Sequence, residues 1–333
     1  MRRFFAPAVL LILLVCPVLT GCGARRKAGE VTYPVSRLRQ TQEIVQAQEE
    51  EKESVPEEGE REDKRTEAED TEKEEKDGMK ETEGKTFTFV DVHQNQYEAE
   101  YDPDAPRSAY DKDLFMKIGS FMTYEGDRGY SCRKGIDVSE FNGDINWKKV
   151  KKSGVEFVFI RAGYRGYGSR AGLVEDKLFR QNLEGALKAG LDTGLYFFSQ
   201  AITPEEAREE ADFLIKLLGG KKASLPLVCD LEHIEFDKAR TDDLTPKQAT
   251  ENVRAFCERI REKGFLPMFY SNMVWEAFGY ELGGLKDFPV WYADYEPKPQ
   301  TPYHFSVWQY TNEGKVDGVP SHVDLNIELI PVS

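Results

Sequence analysis

From residue 134 onward, short apolar runs alternate with stretches in which apolar residues recur every three or four positions. The runs predict strands over 135–139, 157–163, 193–199, 226–232, 267–271, 290–294, 305–310 and 323–327. Between the early ones, helices are predicted over 147–152, 176–189, 203–218 and 245–263. In the second, Leu178, Phe179, Leu183 and Leu187 follow helical spacing. The third and fourth each open on Thr-Pro, an N-cap with proline in the first turn. Gly264 closes the fourth. After Tyr270 the helical stretches thin out and short strands follow closely. Apolar strands alternating with helices predict a parallel sheet covered by helices. Eight strands in about 200 residues fit a (β/α) barrel better than an open sheet. Asp137-Val-Ser-Glu-Phe-Asn-Gly143 follows the first strand with its one glycine too late for a dinucleotide loop.

Upstream the pattern changes twice. Residues 86–92 and 96–101 alternate polar and apolar positions around His93-Gln-Asn, the pattern of a small hairpin. Residues 103–131 are mixed, with a short helix expected around 111–121. The segment 86–131 is too small for a sizeable core of its own and reads as an extension packed on the domain that starts near 132. Residues 41–85 contain 19 Asp+Glu against 8 Lys+Arg and no Phe, Tyr or Trp, so 11 of the 15 net negative charges sit here. Dense charge without apolar residues cannot offset ordering entropy, and the region is expected to be a disordered linker. At random-coil scaling about 60 such residues span roughly 40–50 Å. No basic patch with interleaved aromatics appears, so no nucleic-acid partner is expected.

The first residues, Met1-Arg-Arg-Phe-Phe, precede an apolar run from Ala6 to Leu19 and then Thr20-Gly21-Cys22. This is the order of a secretory signal, over 1–21, and is short for a membrane span. Leu19-Thr-Gly-Cys22 resembles the lipobox of bacterial lipoproteins. That resemblance implies cleavage before Cys22, a lipid on its thiol, and attachment to the outer face of the cytoplasmic membrane. An ordinary secretory signal is the alternative. Cys132, Cys229 and Cys257 then remain in the folded part, without metal-type spacing; Cys229 and Cys257 are expected to be buried, and whether any two pair is open.

The residues with chemical potential gather at predicted strand ends. Pro226-Leu-Val-Cys-Asp-Leu-Glu-His233 places Asp230 and Glu232 two residues apart, on one face of a strand. Two acids on one face raise each other's cost of ionisation, so one tends to keep its proton. A proton donor beside a negative charge is equipment for cleaving a glycosidic bond. Asp137, Asp294 and Asp324 also fall at strand ends or starts. Tyr164, Tyr196, Tyr270, Trp291 and Trp308 lie in or beside the same ends. In barrels the active site lies at the C-terminal ends of the strands. Acids ringed by aromatics suit a sugar, whose C–H faces stack on rings while carboxylates bond hydroxyls or move protons. Taken singly, a strand-end Asp is more often a turn former, and a strand Tyr or Trp more often core. The four histidines are scattered, and no metal site or cofactor is expected.

Eight segments in order resemble the glycoside hydrolase family 25 lysozymes. They are Gly135-Ile-Asp-Val-Ser139, Phe157-Val-Phe-Ile-Arg-Ala-Gly-Tyr164, Gly194-Leu-Tyr-Phe-Phe-Ser199, Asp230-Leu-Glu232, Tyr270-Ser-Asn272, Trp291-Tyr-Ala-Asp-Tyr295, Trp308-Gln-Tyr310 and Val323-Asp-Leu-Asn326. The resemblance covers roughly 134–330. It implies an irregular, TIM-like (β/α) barrel with five β/α units followed by three further strands. It implies hydrolysis of the β-1,4 bond between N-acetylmuramic acid and N-acetylglucosamine in peptidoglycan. By motif, Glu232 would be the general acid, and Asp230 would orient the 2-acetamido group or stabilise developing positive charge. Asp137 and Asp324 would complete an acidic floor, while Tyr164, Tyr196, Tyr270 and Trp291, with Asp294 and Trp308, would bind the sugars. Phe197-Phe198 departs from the more polar residues many members carry there. The expected partners are peptidoglycan glycan strands and, through a lipid anchor, the membrane; a monomer is expected. The rival readings are a non-catalytic peptidoglycan-binding lipoprotein and a metal-dependent polysaccharide hydrolase or deacetylase.

Overall fold

The computed structural model describes residues 86–168, 171–234 and 237–332. The expected signal (1–21), Cys22 and the acidic linker lie outside the described residues. No helix among the described residues is long and apolar enough to cross a membrane.

The chain opens with two antiparallel hairpins, β1 (Thr86–Val90) with β2 (Gln96–Glu100), and β3 (Phe115–Ile118) with β4 (Phe121–Tyr124). The second replaces the short helix expected around 111–121. Only a 3-10 turn, Lys112–Leu114, is helical there. The reason is local: Gly119-Ser120 forms a two-residue turn with Gly119 at φ 64°, a left-handed conformation that favours a hairpin over a helix.

The barrel follows. Its strands are β5 (Tyr130–Val138), β6 (Phe157–Arg165), β8 (Asp192–Ser199), β9 (Leu227–Leu231), β10 (Pro267–Asn272), β11 (Val290–Ala293), β12 (Val307–Gly314) and β13 (Val323–Pro331). They pair in that order, and β5 pairs with both β6 and β13, which closes the sheet. Every pair from β5 to β12 is parallel, whereas β13 runs antiparallel to both of its neighbours. A short strand, β7 (Leu173–Glu175), adds antiparallel to β6 outside the closed ring; periodicity did not reveal it.

The α-helices are α1 (Trp147–Lys152), α2 (Phe179–Lys188), α3 (Pro204–Leu218) and α4 (Pro246–Glu262). Thr203 and Thr245 cap α3 and α4 as expected, the latter with Gln248 in a capping box. After β10 the connection contains only a π-helical turn, Trp275–Gly279, and a 3-10 turn, Leu282–Leu285. Four strands are therefore followed by α-helices, not five, and one of the eight strands is antiparallel. The domain is an α/β barrel but not a strict repeat of the TIM type.

Two apolar layers hold it. Alternate residues such as Val158, Leu195, Cys229 and Phe269 face outward under the helices. The other parity fills the lumen: Phe157, Phe159, Tyr196, Val228, Met268, Tyr270, Trp291 and Val307. Trp291 on β11 stacks on Phe159 of β6 at 4.8 Å and meets Tyr196 of β8 edge-on at 5.7 Å, contacts possible only across the lumen. Gly135 and Gly194 make room for these rings; a Cβ there would lie 2.2 Å from Phe157 and 2.3 Å from Phe159. Cys229 and Cys257 are buried and no described cysteine is bridged.

The extension lies on the β11–β12 side of the barrel. The Tyr110 hydroxyl donates to the Phe305 carbonyl, Lys112 Nζ to the Gln300 carbonyl, and the Met122 amide to the Tyr310 hydroxyl. Phe115 packs edge-on against Trp308 at 5.1 Å. Together with an Arg107–Tyr303 bridge, these contacts make the extension part of the barrel's outer packing.

Candidate active site

The site is built from strand parity. On β9, Val228 faces the lumen, so Asp230 does too, and Glu232 continues that parity one residue past the strand. Both are buried. Outward-facing Leu227, Cys229 and Leu231 anchor the strand beneath the helices. The Glu232 backbone is held from the side: Gln200 Nε2 donates to its carbonyl at 3.0 Å, and Thr241 Oγ1 donates to Gln200 Oε1 at 2.9 Å.

Across the mouth, β5 and β13 supply the other two acids. Their antiparallel register sets Asp137 directly opposite Asp324. Asp137 is fixed by two amides: Gln309 Nε2 donates to its Oδ2 at 2.8 Å and Asn326 Nδ2 to the same oxygen at 2.9 Å. Asn326 accepts from Trp291 Nε1 at 2.8 Å; Gln309 Oε1 accepts from the Tyr270 and Tyr295 hydroxyls at 3.3 and 2.9 Å. One connected network therefore ties the Asp137 carboxylate to the aromatics of the lumen.

A further charge sits in the same layer. Arg161, 1% exposed, donates from Nε to Asp176 Oδ2 at 2.8 Å and from Nη2 to Glu140 Oε1 at 3.1 Å. Its carboxylate neighbours, Asp176 above all, raise the guanidinium's pKa against the opposing effect of burial. It lies 5.6 Å from the Tyr164 ring centre.

The aromatic expectations divide. Tyr196, Tyr270 and Trp291 lie in the lumen beneath the acids, and Tyr164 stands in the row Tyr164–Phe198–Asp230 across β6, β8 and β9. Trp308 has the opposite parity to Gln309 and faces outward, against Phe115 and Tyr310, with its Nε1 donating to the Asp294 carbonyl. Asp294 likewise turns from the lumen, although it borders the mouth. Its carboxylate accepts from the Tyr292 hydroxyl, the Gln300 amide and side chain, and the Glu296 amide. Burial raises its pKa, and these hydrogen bonds oppose the rise. The structure thus gives Trp308 and Asp294 structural contacts and does not bring them to the acids.

Gln309, Asn326, Arg161 and Gln200 were not singled out from the sequence. Arg161 inside an otherwise apolar strand was a readable signal. So was Asn326, two residues from Asp324 and hence on the same face. Gln309 carries no such mark. Among the histidines, His233 stacks on Trp275 at 4.6 Å and burial lowers its pKa; His322 pairs with Glu313 at 2.9 Å. No group of three or more His, Cys, Asp or Glu among the described residues is placed to hold a metal ion.

Known proteins resemble this chain along the barrel. The sequence model of the glycosyl hydrolases family 25 matches residues 136–319, which include Asp137, Asp230 and Glu232 and stop before Asp324. The autolytic lysozyme of Clostridium acetobutylicum is 29% identical over 197 residues, 58% of this chain and 55% of that protein. Lysozyme M1 of Streptomyces globisporus is 29% identical over 203 residues, 58% of this chain and 66% of that one. The chain thus spans between about half and two thirds of the length of these relatives. The crystal structure of the Clostridium perfringens spore cortex lytic enzyme SleM superimposes with a TM-score of 0.51 at 27% identity, covering 59% of this chain and 67% of that one.

Proposed function

The chain belongs to the glycosyl hydrolases family 25, and we propose that its barrel hydrolyses the β-1,4 bond between N-acetylmuramic acid and N-acetylglucosamine in peptidoglycan. One observation carries the proposal. Asp230 and Glu232 share the inward face at the end of β9, and the cross-strand pair Asp137–Asp324 stands at the same mouth. Lysozymes among the relatives supply the substrate class.

In this reading a glycan strand lies across the mouth. Glu232 donates its proton to the glycosidic oxygen as the C–O bond breaks, so that the leaving sugar departs as a neutral alcohol. Asp230, on the same side, orients the 2-acetamido group or stabilises the positive charge that develops at the ring. Two acids spaced i and i+2 on one strand approach the bond from one side, which argues against the pair acting as attacker and donor on opposite ring faces. Whether the anomeric carbon is attacked by the acetamido oxygen or by water then turns on what Asp230 touches. Asp137 and Asp324 set the charge of the floor; Tyr164 and Tyr270 border the mouth where sugar rings rest, while the wholly buried Tyr196 and Trp291 support it from beneath.

The direct test is Glu232→Gln. The amide keeps the shape and hydrogen-bonding reach but holds no transferable proton. Muropeptide release from purified cell walls should fall by at least about a hundredfold, the lower range for a positioned general acid, with an unchanged melting curve. Full activity in Glu232→Gln would sink the assignment of Glu232 as the acid, whereas a parent protein that releases no muropeptides would favour a binding protein on the same fold. Reducing-end analysis of the products shows which sugar is cleaved. We also propose that the chain works as a monomer tethered through Cys22 at the outer face of the cytoplasmic membrane.

A further inference from the structure

The hairpin β1–β2 lies outside the region matched to the family, yet its turn walls a cavity of about 230 Å³ at the barrel mouth. Val92 and Gln94 come from the turn; Tyr270, Asn272, Met273 and Ala293 come from the barrel. Tyr270 belongs at once to this wall and to the network that holds Asp137. Strand β10, which carries Tyr270 and Asn272, pairs directly with β9, which carries Asp230. The cavity wall and the acid pair thus stand on adjacent strands of the same barrel end, about 4.8 Å apart in the backbone.

The turn is fastened rather than draped. Asp91 accepts hydrogen bonds from the His93 and Asn95 amides, and the Gln94 amide donates to the Asp91 carbonyl. Gln94 is held at φ 62°, a left-handed conformation uncommon for a residue with a side chain. From there its Nε2 donates to Glu296 Oε1 at 2.8 Å, across to the loop after β11. Val90 and Gln300 exchange two more hydrogen bonds, at 2.8 and 3.0 Å. A binding wall fixed before the ligand arrives saves ordering entropy on binding.

We propose that this cavity is an additional subsite for one N-acetylated sugar of the glycan strand, built by the hairpin and not by the barrel alone. It rests on the glycan-cleaving reading above and extends it. The lining mixes methyl-bearing side chains with amides, the match for an acetamido group: a methyl to lie against Val92, Met273 and Ala293, and an amide to meet Asn272. Asn272 Oδ1 is occupied by the Val274 and Trp275 amides, which orients the side chain. The lining contains no Lys or Arg, and its carboxylates at Asp91, Asp294 and Glu296 accept bonds from the protein itself. It therefore selects a neutral group over the carboxylate-rich peptide stem. A space this small holds one sugar unit, below the size range of pockets for larger ligands.

The test uses the full chain carrying Glu232→Gln, which binds without turnover, and reads its affinity for the β-1,4-linked tetramer of N-acetylglucosamine by calorimetry. Adding Val92→Trp fills the cavity and should weaken binding by at least about fivefold, near 1 kcal/mol. Adding Gln94→Ala, which unfastens the turn, should weaken it by a smaller factor. The corresponding glucosamine tetramer, lacking acetyl groups, should bind the unfilled protein at least about fivefold more weakly. Unchanged affinity in Val92→Trp, or equal affinity for the two tetramers, overturns the subsite. If Val92→Trp does not fold, Gln94→Ala takes its place, and unchanged affinity there overturns the subsite. If Glu232→Gln still lyses walls while the cavity results hold, the catalytic reading fails and the subsite stands. If the tetramer does not bind although the parent lyses walls, the subsite fails.

Discussion

In the proposed reading Glu232 acts only with a proton to give, and a charge placed near it bears on that proton. A nearby carboxylate disfavours ionisation of a proton donor; removing that negative charge makes ionisation easier. Asp137→Asn and Asp324→Asn should therefore each lower activity and move the alkaline limb of the pH–rate profile to lower pH. The profile of wall lysis measures this directly. If both variants keep the parent's limb, Asp137 and Asp324 do not share a field with the acid. The two should differ in stability. An Asp137→Asn side chain can still accept from Gln309 and Asn326, which both donate to Asp137 Oδ2, but without the charge that strengthens those two bonds. Asp137→Asn should thus show the larger loss of melting temperature.

At the scale of elements, the weakest part of the barrel's helical covering is the connection after β10. Its π-helical turn buries Glu276, whose Oε2 accepts from Thr301 Oγ1 at 2.5 Å, while Oε1 has no hydrogen-bond partner among the described residues. Burial, reinforced by Asp294, pushes the Glu276 pKa up from 4.5 to about 8, against the opposing effects of Thr301 and Lys112. A carboxyl with a raised folded pKa binds more protons in the fold than in the unfolded chain. Its contribution is fully present below about pH 4.5 and is lost as pH rises toward about 8. Glu276→Gln keeps the hydrogen-bonding shape without the ionisable group. Its melting temperature should change less than the parent's between those limits, with the variant gaining most at the alkaline end. Parallel pH dependence in the two proteins would remove Glu276 as a source of alkaline instability.

At the scale of the whole molecule, the extension, the barrel and the proposed anchor divide the work. The extension completes the outer packing around Phe305, Trp308 and Tyr310 and, through β1–β2, reaches the mouth. The proposed tether concerns residues outside the described part, and its prediction is one of fractionation. Cys22→Ser should move the protein from the membrane pellet to the soluble fraction, with lysis of purified walls unchanged. Cys22→Ser protein that stays in the pellet after a high-salt wash would refute lipid attachment at that thiol.

Much of the barrel was legible in the sequence. Apolar runs and helical spacing identified its eight strands and four α-helices to within a few residues, because both report local backbone geometry. The i, i+2 spacing put Asp230 and Glu232 on one face of one strand before any partner was known. The motif order showed the family resemblance. Parity also contained a warning: Trp291 and Asp294, or Trp308 and Gln309, cannot share a face of one regular strand. It could not say which member faces inward. That was decided by closure of the sheet, which turned Trp291 and Gln309 into the lumen, left Trp308 to the outer packing and set Asp294 at the rim of the mouth. The separation of 189 positions between Asp137 and Asn326 leaves no local trace of their hydrogen bond; only the antiparallel register of β13 against β5 creates it. The same holds for the hairpin turn at Gln94, 202 residues from Glu296, which meets the mouth only after the barrel has closed. Local sequence determined the elements and their faces. Long-range pairing, whose partners are chosen by burial of the whole surface, decided which faces became a site.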